Sequence, residues 1–124
     1  MSAEAPYLAT VVAHFRRPLN LRALDAPTHV HEGANPLCGD RVRIEVEVRA
    51  DSIEDAAFAA SACAIATASA SLLTERIRGG AVSAALGLDE ESVIAALGSG
   101  VPPGRRSCAV LPLRVLQRAL GREA

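Results

Sequence analysis

Residues 41–49 constrain the fold most strongly, because apolar and charged side chains alternate there without interruption. The apolar positions are Val42, Ile44, Val46 and Val48, and every residue between them is arginine or glutamate. Successive side chains of a β-strand point to opposite faces. The pattern therefore predicts a strand with one buried face and one charged face.

A second strand is predicted directly after the first. Asp51 and Ser52 have the composition of a turn, and the following residues place Ala56, Phe58 and Ala60 on one face. Two such segments joined by a short polar turn favour an antiparallel hairpin.

The rest of the chain has mainly helical periodicity. The sequence predicts helices over 6–17, ended by Pro18, over 65–77, ended by Gly79, over 81–86, over 90–97 with Asp89 as cap, and a last one capped by Ser107. Residues 19–37 show no clear period. They are predicted to form a loop with one short edge strand at most, near Leu24 or at 28–30.

Composition limits the class of protein. The 124 residues are 50% hydrophobic, which predicts one folded domain over residues 1–124. A net charge of −1 lacks the basic excess that a nucleic-acid surface needs. No apolar run approaches the length of a membrane span, and the first residues do not resemble a secretion signal. We therefore expect a cytoplasmic protein with neither a nucleic acid nor a membrane as its partner.

The three cysteines are an odd number, so they do not form a closed set of disulfides. Metal or persulfide chemistry is the natural use of reduced thiols, although cysteines also serve as small core residues. Cys38 lies in the segment Asn-Pro-Leu-Cys-Gly-Asp, whereas Cys63 and Cys108 fall at the starts of two predicted helices. Exposed N–H groups at a helix start favour a thiolate over a thiol.

Asp40 follows Cys38 by two residues, and Gly39 between them permits a tight turn that brings the carboxylate beside the thiol. Three thiolates and one carboxylate form a four-ligand set that suits zinc or iron. The gaps between the cysteines match no zinc-finger spacing. Three core cysteines and an Asp40 that only caps a turn remain the alternative at this point.

Other side chains near the cysteines are weaker candidates. His29 and His31 precede the Cys38 loop and are possible additional ligands, but loop histidines are more often solvated, and we favour that interpretation. Arg105 lies three residues before Cys108. Its guanidinium either holds a thiolate or persulfide anion or is simply solvated, and the sequence leaves both open.

These motifs resemble the IscU/SufU/NifU-N family of iron–sulfur cluster assembly scaffolds over nearly the whole chain. The segments that carry the resemblance are 14–20, 33–40, 55–58, 63–71 and 105–111. The resemblance implies an α+β fold, in which a small antiparallel sheet is covered on one side by helices.

The resemblance also implies the ligands and the partners. Cys38, Asp40, Cys63 and Cys108 would bind zinc, iron or a nascent [2Fe-2S] cluster. Members of the family accept persulfide sulfur from a cysteine desulfurase and supply apo iron–sulfur acceptor proteins, so we expect a scaffold or sulfur relay rather than an enzyme. Cys38, on its glycine loop, is the preferred persulfide acceptor, and Cys108 is the alternative.

Some positions depart from the family pattern. Ala62 stands where glycine usually precedes the second cysteine, and Ser107 stands where IscU members carry histidine. Residues 101–105 only partly resemble the chaperone-recognition segment of IscU, and the insertion typical of SufU is missing. The local motifs thus resemble SufU, whereas the length resembles IscU.

Two other classes of function remain as alternatives. A structural zinc protein without sulfur traffic would use the same ligands, and a persulfide transfer assay distinguishes it from a relay. An enzyme with a cysteine nucleophile is less favoured because it needs a nearby general base, and no histidine follows His31.

Overall fold

The computed structural model describes residues 7–121. The elements in chain order are α1 (Tyr7–Arg16), β1 (His29–Asn35), β2 (Asp40–Arg49), β3 (Ser52–Ser61), α2 (Ala64–Ile77), α3 (Val82–Leu86), α4 (Glu90–Leu97), a 3-10 turn (Pro103–Arg105) and α5 (Arg106–Ala119). None of the helices within this range is long and apolar enough to cross a membrane.

The three strands form one antiparallel sheet in the order β1-β2-β3. The predicted hairpin is confirmed, with Ile44 opposite Phe58. Its turn lies one residue earlier than predicted, because Ala50 and Asp51 have φ values of 51° and 63° whereas Ser52 already pairs with Arg49. Positive φ at both central residues is typical of the tight turns that match the twist of a hairpin.

The buried face predicted for the first alternating segment is also confirmed. Val42, Ile44 and Val46 are fully buried in the main core cluster. Helices α2 and α5 both pack against the sheet, and Leu73 and Leu116 are their members of the same cluster. The sheet therefore has a helix-covered face, as expected for the α+β class.

The edge strand expected within residues 19–37 is longer than predicted, so the predicted extent of loop in this segment is wrong. Residues 29–35 form the full edge strand β1, which pairs with β2 along its length. Its sequence, HVHEGAN, is mainly polar, and its less exposed positions are His29, His31, Gly33 and Asn35, none of which has an aliphatic side chain. The alternation that marks a half-buried strand is correspondingly weak there.

Gly33 permits the close approach of α5 to β1. A Cβ atom at this position would lie 2.8 Å from Cγ2 of Val115, which is a buried residue of α5. Real Cβ contacts are longer than this, so Val115 or one of the two elements would have to shift if a side chain were added. Because α5 also carries Cys108, the glycine helps to fix where that cysteine lies.

We expect Gly33→Ala to lower the free energy of unfolding by about 1–3 kcal/mol, because overpacking a tight core contact strains its neighbours. Urea denaturation measures the loss. Gly104→Ala is the matched control, because a Cβ there meets nothing within 4 Å, and it should leave the stability nearly unchanged. Equal stability of the two variants would contradict this account of Gly33.

The helices agree with the sequence except at the start of α5. Helix α1 lies within the predicted segment, whose first residue, Pro6, falls outside the described residues. Asp89 caps α4 as predicted, with its carboxylate accepting from the N–H of Ser92 at 2.8 Å. Ser107 is not the cap of α5, because the preceding 3-10 turn extends the helix back to Arg106.

Candidate metal centre

The tight loop between β1 and β2 presents Cys38. Asn35 and Asp40 pair across the two strands, and the backbone carbonyl of Asn35 accepts from the N–H groups of Cys38 (3.3 Å) and Gly39 (2.8 Å). Gly39 has φ 77°, a conformation that favours glycine. Cys38 is exposed at the tip of this loop.

Cys108 meets this loop from the opposite side of the site. It is the third residue of α5 and is 2% exposed. Its Sγ lies 3.6 Å from Sγ of Cys38, although the two residues are far apart in the sequence. The antiparallel pairing of β1 with β2 and the packing of α5 on both strands bring them together.

Asp40 is the first residue of β2 and is 5% exposed. Its Oδ1 accepts from the backbone N–H of Cys63 at 2.9 Å, whereas its buried Oδ2 has no hydrogen-bond partner among residues 7–121. An unpaired buried carboxylate oxygen is costly and rare in folded proteins. A bound cation would satisfy it.

The ligand atoms of Cys38, Asp40 and Cys108 all lie within 4.8 Å of one another. Two sulfurs and a carboxylate oxygen at this separation can bind a single ion. The donor set suits zinc or iron, since thiolates prefer such metals and carboxylates are also accepted. The unpaired Oδ2 of Asp40 and the two soft sulfur donors thus both fit a metal of this class.

Cys63, the fourth expected ligand, is positioned differently. It is half-buried and caps α2, with its Sγ accepting from the N–H of Ala66 at 3.5 Å. Its sulfur lies outside the group of three ligand atoms, but its backbone N–H holds Asp40, and its thiol interacts with the Cys108 thiol. Cys63 therefore borders the site and is at the helix start predicted from the sequence.

The pKa values distinguish the carboxylate from the buried thiol. Burial raises the pKa of Asp40, but the Cys63 backbone N–H and the nearby thiols of the three cysteines outweigh it, so the pKa lies below its usual value. Burial, together with the neighbouring Cys38 and Cys63 thiols, raises the pKa of Cys108 to about 12. The effect of burial on the pKa of the Cys108 thiol is thus larger than that of the helix start. Cys108 therefore needs a bound cation to lose its proton at neutral pH.

The weaker candidates lie around this centre. His29 Nδ1 is 2.8 Å from the Thr28 hydroxyl, and His31 lines a groove of about 320 Å³ between β1 and α5. Neither histidine belongs to the group of ligand atoms found within the described chain. Arg105 is exposed and immediately precedes α5. Whether it holds a thiolate or persulfide anion or is simply solvated stays a prediction.

Asn35 is the residue that the sequence analysis did not single out. Its side chain accepts from the N–H of Leu37 at 3.0 Å and donates to the Ser107 hydroxyl at 3.1 Å. The available signal was its place before Pro36 in a turn, where asparagine side chains commonly bond to the backbone two residues ahead. Its bond to α5 has no local signal.

Comparisons with known proteins agree with this architecture. The scaffold protein IscU 1 of Archaeoglobus fulgidus is 34% identical over 114 residues, which cover 92% of this chain and 74% of that protein. The zinc-dependent sulfurtransferase SufU of Bacillus subtilis is 29% identical over 134 residues, with 94% and 90% covered. A crystal structure of a hypothetical protein with 32% identity superposes with a TM-score of 0.79, covering 94% of this chain and 97% of that one.

The family model described as the NifU-like N-terminal domain matches residues 6–122. The match spans every helix and strand described between residues 7 and 121, including the cysteines and Asp40. The resemblance inferred from the cysteine motifs is therefore confirmed: this chain belongs to the NifU-like N-terminal domain family, to which its IscU-, SufU- and NifU-type relatives also point.

Proposed function

We propose that this protein accepts persulfide sulfur from a cysteine desulfurase and binds zinc, iron or a nascent [2Fe-2S] cluster during iron–sulfur cluster assembly. The observation that carries the proposal is that the thiols of Cys38 and Cys108 converge on Asp40, whose Oδ2 has no hydrogen-bond partner within the described part of the chain. The names of the relatives, a cluster assembly scaffold and a zinc-dependent sulfurtransferase, support the same class of function.

The proposed ligands are Cys38, Asp40, Cys63 and Cys108. Zinc, when bound, would keep the thiols deprotonated beside one weaker oxygen ligand. The sulfur of Cys63 already accepts from the N–H of Ala66 at the start of α2. Asp40 needs no proton removed at neutral pH, because its pKa is held below the usual value.

Cys38 is the proposed first sulfur acceptor, because it is exposed whereas Cys108 is buried. Its thiolate would attack the outer sulfur of the persulfide on the desulfurase. The sulfur–sulfur bond of the desulfurase breaks, its cysteine leaves as a thiolate, and a new sulfur–sulfur bond forms on Cys38. The step is a displacement and needs no oxidant or reductant.

The partners follow from this chemistry. A cysteine desulfurase supplies the sulfur, and apo iron–sulfur acceptor proteins receive the sulfur or the cluster. We place the reaction in the cytoplasm, where thiols remain reduced. A scaffold or relay is favoured over an enzyme with a cysteine nucleophile, because no histidine among residues 7–121 is hydrogen-bonded to a cysteine. His14 is bonded to Ser71 and His29 to Thr28.

Persulfide transfer is the direct test. After incubation of the zinc-loaded protein with a cysteine desulfurase and cysteine, we expect intact mass spectrometry to show an increase of one or more sulfur atoms. Cys38→Ser should lose most of this increase, whereas Cys108→Ser should still accept sulfur at the exposed thiol. Circular dichroism of each variant checks that it is folded.

The outcomes separate the alternatives. Full transfer to Cys38→Ser, with none to Cys108→Ser, would make Cys108 the first acceptor. A wild-type protein that binds zinc but takes up no sulfur would contradict the relay and favour a structural zinc site.

A further inference from the structure

Asn35 closes the Cys38 loop with both its backbone and its side chain. The carbonyl oxygen of Asn35 accepts from the N–H groups of Cys38 and Gly39, and its side-chain oxygen accepts from the N–H of Leu37. Only 7% of Asn35 is exposed, although the residues that donate to it lie in an exposed turn. One residue therefore accepts three hydrogen bonds from the loop that presents Cys38.

The amide nitrogen of the same side chain reaches a second element. Nδ2 of Asn35 donates to Oγ of Ser107 at 3.1 Å, and Ser107 immediately precedes Cys108 in α5. Asn35 thus links the loop that carries Cys38 to the helical turn that carries Cys108. It also lies opposite Asp40 in the β1-β2 ladder.

Other side-chain bonds of α5 run in different directions. Arg106 and Arg114 bond to Glu91 and Glu90 on α4, and Gln117 bonds to carbonyl groups between residues 85 and 88. These contacts hold α5 against the helical part of the molecule. The Asn35–Ser107 bond instead fixes α5 relative to the cysteine loop.

We propose that the hydrogen bond between Asn35 and Ser107 positions the Cys38 thiol against the Cys108 thiol before a metal binds. Both residues are positioning residues, since they act through the adjacent cysteines. The inference rests on the proposed metal site and deepens it. It assigns a role to Ser107 that is neither helix capping nor metal binding, and it explains how an exposed loop cysteine lies 3.6 Å from a buried one.

A preformed site binds metal more tightly, because less ordering remains to be done when the ion arrives. Loss of one neutral hydrogen bond corresponds to about a three- to tenfold change in an equilibrium constant. We expect that range for the effect of Ser107→Ala. Ser107→Thr keeps the hydroxyl and should restore most of the wild-type behaviour.

The first measurement needs no metal. The protein is studied without metal and with Cys63→Ser, so that Cys38 and Cys108 are its only thiols. Equilibration with reduced and oxidised glutathione then measures the effective concentration of one of these thiols at the other. The pair is oxidised to a disulfide while oxidised glutathione is reduced to two thiols. Ser107→Ala should lower this effective concentration about three- to tenfold. Arg114→Gln removes the ion pair between α5 and Glu90 of α4, and it should leave the effective thiol concentration unchanged.

The second measurement is the zinc dissociation constant of variants that retain all three cysteines, obtained by competition with a chromophoric chelator. Ser107→Ala should weaken zinc binding by a similar factor, and Ser107→Thr should not. Unchanged thiol pairing and zinc affinity in Ser107→Ala would overturn the proposal, as would a threonine variant that behaves like alanine. If wild type bound no zinc, the metal site would fail, whereas the thiol-pair measurement would still test the positioning role.

Discussion

Removal of zinc from the loaded protein is expected to lower its Tm by about 15 °C. A ligand present at about a thousandfold above its Kd stabilises the folded state by about 4 kcal/mol, and for a chain of this length that energy corresponds to the stated shift. The effect is large because the proposed ligands lie on separate elements. Cys38 lies in the β1-β2 turn and Asp40 begins β2, whereas Cys63 caps α2 and Cys108 lies in α5.

Differential scanning calorimetry with and without a strong chelator measures this shift. The control is a Cys38→Ser, Cys108→Ser double variant, whose Tm should be insensitive to zinc and chelator alike. A wild-type Tm that stays the same in zinc and in chelator would contradict the proposed ligand set.

Substitution of Asp40 is expected to affect both stability and sulfur delivery. Asp40→Ala leaves the backbone N–H of Cys63 without its acceptor, and loss of this partly buried hydrogen bond should lower the free energy of unfolding by about 1 kcal/mol. The three thiols remain, so we expect the variant to fold and still bind zinc. Transfer to an apo acceptor should be slower, because a carboxylate is the weakest ligand and the one that exchanges most easily when the site opens.

Asp40→Asn separates these two effects. Its side-chain oxygen can still accept from the N–H of Cys63, so its stability should lie closer to wild type than that of Asp40→Ala. It lacks the negative charge, so its transfer should be slowed as in the alanine variant. Urea denaturation and the rate of zinc or cluster loss to an acceptor measure the two properties. If both variants transferred at the wild-type rate, Asp40 would be only a structural residue.

The sequence predicts those parts of the fold in which local pattern and tertiary environment coincide. Val42, Ile44 and Val46 alternate with charged residues because one face of β2 is buried under helices, and Asp89 caps α4 through a bond to Ser92 only three residues ahead. The full length of the edge strand β1 is missed for the opposite reason. Its pairing with β2 comes from the tertiary fold, and Gly33 weakens the local strand signal while serving a contact with α5.

The candidate site is likewise only partly encoded in local sequence. The spacing of Cys38, Gly39 and Asp40 predicts a turn that brings thiol and carboxylate together, because that geometry depends on adjacent residues. The contact between Cys38 and Cys108 depends on the packing of α5 on the sheet, which no spacing reveals. The family resemblance predicted that the two cysteines share one site. The hydrogen bond from Asn35 to Ser107 was found only in the structure.

The most direct test of the central claim is zinc X-ray absorption spectroscopy on protein purified at neutral pH, together with its metal content. The account predicts about one zinc per chain, bound by three sulfurs at about 2.3 Å and one oxygen at about 2.0–2.2 Å. Cys63→Ser should reduce the sulfur count by one. A protein that binds no zinc when zinc is supplied, or a wild-type spectrum without sulfur ligands, would contradict it.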